Sequence, residues 1–435
     1  MKIFKNVLIA VFCFTTIVVA QINWNAKSIT ITTEAQLKEF EGLVNGRKDF
    51  SGQVITLAKD IDIKSGEWIP IGVAKNNAEF NGIFNGNGKV VRGIKIYGYD
   101  DGQGLFGFIG KNGVIKNLGV IVDIKGKNIV GGLTGVNVGT IENSYVWGNI
   151  EGDGLVGGLA GTNMGIIENS YASGMVTGNN AIGGLVGINS GMKGSIGSIK
   201  NSYASGNVTG IENTGGLVGA SGGIIENSYA LGKVTGRKNV GGFVGENIGT
   251  IINSYALINA TSSGKFADIN TGKICSNSGT KMETQMKQQS AYRDWNFANI
   301  WKIDFDINNG FPYLKSFAEV LKKQKSGGKG KSEDPKKALV GQWYTMESNV
   351  AKDLLFEKME FLNDGSGLAE SSNIRGIGHY AESFTWRIDS DGRLIHMTPI
   401  GIAQIYYIIE ISNSTLILEG NVTGIGYMRT TYSKR

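Results

Sequence analysis

The sequence predicts an all-β chain: a right-handed parallel β-helix (solenoid) followed by a small antiparallel β-barrel or meander. Three observations predict it. The tripeptide Asn-Ser-Tyr recurs at 143–145, 169–171, 201–203, 227–229 and 253–255, with spacings of 26, 32, 26 and 26. Glycine supplies 66 of the 435 residues and proline only 4, which excludes collagen and any long helical repeat. From residue 338, after a Lys/Gly-rich stretch, alternating strand-like runs take over, with hairpin signals at Asn363-Asp364-Gly365 and Ser390-Asp391-Gly392.

In chain order, residues 1–20 read as a secretory signal. Lys2 and Lys5 precede the apolar run Val7 to Val19, and Val18-Val19-Ala20 offers small residues before a cut ahead of Gln21. That run is short of the ~20 residues that span a bilayer, and no later segment is long and apolar enough to do so. Of the two cysteines, Cys13 leaves with the signal. Cys275 remains, so no internal disulfide is expected.

The solenoid is assigned to 21–281. Each unit reads roughly G-G-L-V-G-x-N-x-G-x-I-E-N-S-Y-A-x-G-x-V-T-G. Three short strands and three tight turns account for 26 residues, and the one longer unit carries six extra residues around 192–199 as a loop. Stacked coils place equivalent residues ~4.8 Å apart, so the repeat writes columns. Leu133, Leu159, Leu185, Leu217 and Phe243 form an apolar core column. Asn143, Asn169, Asn201, Asn227 and Asn253 form one asparagine column, whose amides can bond along the stack. Asn137, Asn163, Asn189 and Asn247 form another, broken by Ser221. Lys200 sits between Glu168 and Glu226 and relieves like-charge stacking. About nine coils would give a rod on the order of 40 Å.

Tyr145, Tyr171, Tyr203, Tyr229 and Tyr255 form an aromatic column. By strict alternation Ile, Asn and Tyr share one face and Glu and Ser the other. An inward tyrosine stack would be structural. An outward one would be a platform for glycan contact, which makes these five the candidate site residues. Residues 282–317 lack the repeat and are expected to cap the end of the solenoid through Trp295, Phe297, Trp301 and Phe311. Residues 318–337 read as a Lys/Gly-rich linker. The segment 322–337 alone holds seven Lys against one Glu and one Asp. With Lys2 and Lys5 also set aside, the formal charge of +6 leaves the rest at about −1, which disfavours a nucleic-acid face.

GGLVG, N-x-G and IENSYAxGxVTG resemble the GLUG-motif repeat of bacterial secreted and surface proteins. LAKDIDIKSGEWIPIG (57–72), FNGIFNGNGKVVRGIKI (80–96) and DWNFANIWKID (294–304) fit the wider pattern, and the resemblance covers roughly 29–317. It implies a right-handed solenoid on extracellular, often adhesin-like proteins, and no shared activity. In 338–435, Gly341-x-Trp343 resembles the opening of lipocalin-like domains and implies a barrel with Trp343 plugging one end.

Catalytic chemistry finds little support. His379 and His396 belong to no metal-spaced set, no P-loop or calcium repeat is present, and with one mature cysteine a nucleophile triad finds no support. The pairs Asp60/Asp62 and Asp304/Asp306 could act as acid and base, though a turn or capping role is simpler. The expectation is an exported, non-catalytic protein without cofactor or metal. It would be a monomer, secreted or at the cell surface, adhesin-like or a scaffold, binding a glycan or a surface or matrix partner. The alternative is a polysaccharide-active β-helix enzyme, a lyase or hydrolase, using the Glu142, Glu168 and Glu226 face.

Overall fold

The computed structural model describes residues 22–326 apart from 74–76, 99, 192–195 and 306, together with eight strands lying between 341 and 434. The segment read as a signal, and residues 327–337 of the linker, lie outside the described residues.

The chain winds as a parallel solenoid. One column of paired residues runs Ser28, Val54, Ile83, Val114, Thr140, Ile166, Ser198, Ile224, Thr250 and Lys273, ten rungs separated by nine turns. The coil has four strands rather than three: Tyr145–Glu151, Gly154–Gly157, Ala160–Asn163 and Ile166–Glu168. They feed a long 20-stranded sheet, a five-stranded sheet and a seven-stranded sheet. The extra corner comes from Asn143, Asn169, Asn201, Asn227 and Asn253. All are left-handed, with φ between 46° and 49°, and bend the long sheet once per coil. Asparagine tolerates that conformation better than other side-chain-bearing residues. At the next corner only glycine fits, since a Cβ on Gly206 would lie 1.5 Å from the Gly174 carbonyl oxygen one coil away.

Inside, Leu133, Leu159, Leu185, Leu217 and Phe243 are fully buried, as their column predicts. The six-residue insertion leaves the stack at Ser190, and the Gly197 N–H donates back to the Ser190 carbonyl at 2.9 Å.

Two ends differ from expectation. Within the stretch taken to begin the solenoid lies helix α1 (Glu34–Asn45). Thr33 caps it, its hydroxyl accepting from the Gln36 N–H, and Leu37, Phe40 and Val44 form one buried stripe. Phe40 lies 4.9 Å from Phe50 and 5.8 Å from Phe84, so a helix closes the interior of the first coils.

The segment 282–317 is no end cap. It runs back along the flank of the coils as a strap, through helix α2 (Glu283–Met286) and a short antiparallel pair, Trp301–Lys302 with Tyr313–Leu314. Nor is the stretch after 317 all linker. Helix α3 (Ala318–Ser326) continues the strap, and Val320 and Leu321 pack on the same cluster. These apolar side chains give the start of that basic stretch a surface to dock on.

The C-terminal strands close into an antiparallel barrel, the first, Gly341–Ser348, pairing with the last, Gly426–Lys434. Trp386 is buried there. Its indole N–H donates to the Ser366 carbonyl at 2.8 Å, and its ring meets Phe361 edge-on. The hairpin tips 363–365 and 389–392, His379, and the side chains of Trp343 and His396 lie outside the described residues.

Candidate functional site

Strict alternation fails at the tyrosine column because the left-handed asparagine reverses the side-chain direction between Glu and Ser. Ile141 and Val146 point into the core while Tyr145 points away from it, and Ser144 is fully buried. The serines build a ladder that the sequence pattern did not reveal. The Ser170 hydroxyl accepts from the Ser144 N–H at 3.2 Å and donates to the Glu168 carbonyl at 2.8 Å. Ser202, Ser228 and Ser254 repeat the bridge, coil after coil.

The tyrosines stack in register. Ring centroids are 5.1 Å apart between Tyr145 and Tyr171, and 4.8 Å for the next two pairs, with planes within 6°. The column does point outward from the coils, yet it is no open platform. Tyr145, Tyr171, Tyr203, Tyr229 and Tyr255 are 5%, 3%, 1%, 0% and 2% exposed, because the strap lies across them. Tyr255 meets Tyr292 and Trp295. Tyr203 and Tyr229 meet Trp301, and Tyr145 and Tyr171 meet Phe317 edge-on. The Tyr229 hydroxyl donates to the Pro312 carbonyl and accepts from the Asn308 amide. The glycan-contact assignment for these five residues is therefore corrected: aromatic faces worth several kcal/mol of apolar burial are spent on the strap. Burial raises the Tyr145 hydroxyl to about 12, and raises Tyr171, Tyr203 and Tyr229 well above the ordinary value.

The two asparagine columns also exchange roles. The amide ladder belongs to the fully buried Asn137, Asn163 and Asn189. Asn137 donates to Asn163 and Asn163 to Asn189, each at 2.8 Å, and Asn189 donates to the Ser221 hydroxyl at 3.3 Å. In the column of Asn143 the amides do not bond one another. Asn201 and Asn227 turn to Glu168 and Glu226.

Of the charged candidates, Glu226, Asp60, Asp62 and Asp304 stand in ion pairs. Lys200 reaches Glu226 at 3.5 Å, in line with its expected place between two glutamates. Arg92 binds Asp60 at 2.8 Å and Asp62 at 3.6 Å, and Asp60 also accepts from the Val90 N–H of the adjoining coil. Burial works to raise the Asp60 carboxyl, but Arg92 and the Val90 N–H outweigh it and hold it below the usual value. Asp60 is thus a clamp between rungs. Asp304 pairs with Lys302 at 3.4 Å, and Asp306 lies outside the described residues.

Sequence comparison bears on the same coils. Residues 152–177, 178–209 and 210–235 match the family model of the GLUG motif. Each GLUG repeat opens at the corner after the tyrosine-bearing strand and closes at the same point one coil later, and the 178–209 repeat holds the insertion. Over 96 residues the chain is 42% identical to a protein of Evansella cellulosilytica provisionally named a Gly-rich membrane protein; the match takes in 21% of this chain and 11% of that protein. Among the described residues no helix is long and apolar enough to cross a membrane.

Proposed function

We propose that this chain is an exported, non-catalytic protein of the cell surface or extracellular space, whose solenoid is a rigid adhesin-like scaffold for a glycan or surface partner. The observation that carries the reading is where the repeated side chains go. Leucine, serine and buried asparagine columns join coil to coil, and the tyrosine column holds the strap, so repetition is spent on stiffness. A stack in which each coil completes its neighbour's backbone pairing is a quasi-one-dimensional rod suited to presenting other surfaces. The GLUG match and the membrane description of the partial relative support a surface location. The barrel is a second module, and its lipocalin-like character is part of the proposal.

Cell fractionation combined with binding screens against glycans, matrix proteins and whole cells tests it. The expected result is envelope or medium localisation with saturable binding. Release of reducing ends or unsaturated products from a polysaccharide would overturn the non-catalytic assignment.

A further inference from the structure

The tyrosine column ends at Gly119, and the strap ends just beyond it. In register, Tyr255, Tyr229, Tyr203, Tyr171 and Tyr145 are followed by Gly119 and Val90. The Tyr145 ring leans over Gly119, where an added Cβ would come within 2.4 Å of it. Past this ring lies a cleft of about 190 Å³, lined by Tyr145, Phe317 and Val320 together with Asn87, Asn117 and Asn143. Deeper under the strap the same asparagine column is covered, Asn201 being 1% and Asn227 7% exposed. Here Asn87 is exposed and Asn117 and Asn143 are half-buried.

We propose that this cleft is a subsite for one neutral sugar ring, a deepening that rests on the glycan-binding reading above. Phe317 stands edge-on to Tyr145 at 5.4 Å, and with each ring only 5% exposed the cleft offers the C–H groups of a pyranose a narrow aromatic edge beside Val320. Asn117 and Asn143 sit on successive rungs, about 4.8 Å apart, and an amide presents donor and acceptor side by side to hydroxyls. The Asn117 amide donates to Asn85 and keeps its carbonyl for a ligand, while Asn143 has no side-chain partner among the described residues. No charged side chain lines the space, which selects a neutral sugar over a uronic acid or a sulfated one. The volume is below the ~300–1,000 Å³ of pockets that take larger ligands, so one ring is held and a chain would have to extend outward.

The test uses the full chain, free glucose, galactose and mannose in saturation-transfer NMR, and an array of neutral and acidic oligosaccharides. Asn143→Gly removes the amide while keeping the left-handed corner, and Val320→Trp fills the cleft. The expected result is contact with a neutral sugar that weakens at least tenfold in both variants. Neutral-sugar binding equal in both variants and the parent, or binding confined to acidic glycans, overturns the cleft and leaves the glycan-binding reading standing. Binding only to matrix proteins or cells, with no glycan bound, overturns the cleft and the glycan part of that reading. No binding to any surface, matrix protein or glycan overturns both.

Discussion

Two columns of the same coil, the buried asparagines and the tyrosines, are completed in different ways. Asn163 finds its partners in Asn137 and Asn189, one coil to either side, so the repeat completes itself. Tyr203 stacks on its neighbours but is buried only when Trp301, almost a hundred residues later, lies over it. Repetition thus specifies the first column entirely and the second only halfway. The half it leaves open is what a non-repeating strap must supply.

Alkaline pH should separate the two columns most strongly. A tyrosine whose folded value is raised favours its protonated form in the fold. Its contribution is full below the unfolded value of about 10 and is lost as pH rises through the folded value. For Tyr145 that window runs from about 10 to about 12, and for Tyr171, Tyr203 and Tyr229 it extends higher. Tyrosinate absorbance should therefore lag behind that of free tyrosine and rise together with strap release, followed by tryptophan fluorescence. Trp301→Ala should move the rise to lower pH. A titration with every tyrosine ionising near 10 in the folded protein would contradict the burial.

The amide ladder should come next. Asn163→Ala leaves the Asn137 amide and the Asn189 carbonyl short of a partner in a fully buried place, at a cost of about 2–3 kcal/mol. Urea denaturation read by far-UV dichroism checks it, with hydrogen exchange showing whether the loss stays near coils 137–189, as a one-dimensional stack predicts. A loss under ~0.5 kcal/mol would remove the ladder from the list of stabilising features.

The sequence made the period, the core column and the coil-to-coil pairing readable, because those follow from residue type and spacing alone. It also held a signal for α1: Thr33 and Gln36 have capping-box spacing, and Leu37, Phe40 and Val44 share a helical stripe. A single stripe of this kind stands outside the 26-residue period, so the repeat does not reveal it. The strap's aromatic content was visible, but its destination was not, since contact between residues 301 and 203 is tertiary. The tyrosine direction was unreadable by alternation, because the left-handed asparagine between Glu and Ser breaks the period of two. The cleft at Gly119 was hidden for the same reason. It exists where a column stops, and its wall is Phe317.

The asparagine at the corner gives a sharper contrast with the asparagine in the ladder. Asn169 is left-handed with φ 49°, and its side-chain Oδ1 is buried with no hydrogen-bond partner, so its backbone matters more than its amide. Asn169→Gly should be nearly neutral, whereas Asn169→Ala should cost about 1–2 kcal/mol, the usual penalty for a Cβ in that conformation. At Asn163 glycine should be at least as damaging as alanine. The same pair of substitutions at both sites, compared by urea midpoint, would collapse the distinction if the two sites responded alike.

The smallest effect should be a gain. A second left-handed column runs Ile129, Leu155, Ala181, Asn213 and Asn239, with φ between 51° and 57°. Its last two members suit that backbone, and Asn239 donates to Asn213 at 2.7 Å. Its first members do not suit it: a branched or bulky side chain is rarely found there. Leu155 is only half-buried, so little apolar contact opposes a change. Leu155→Asn should relieve part of the ~1–2 kcal/mol conformational cost and leave a net stabilisation of about 0.5–1 kcal/mol, read as a raised urea midpoint with unchanged slope. Destabilisation instead would mean that the Leu155 side chain contributes more through packing than its backbone costs. Corner columns would then, like the tyrosines, be set by what covers them and not by the turn itself.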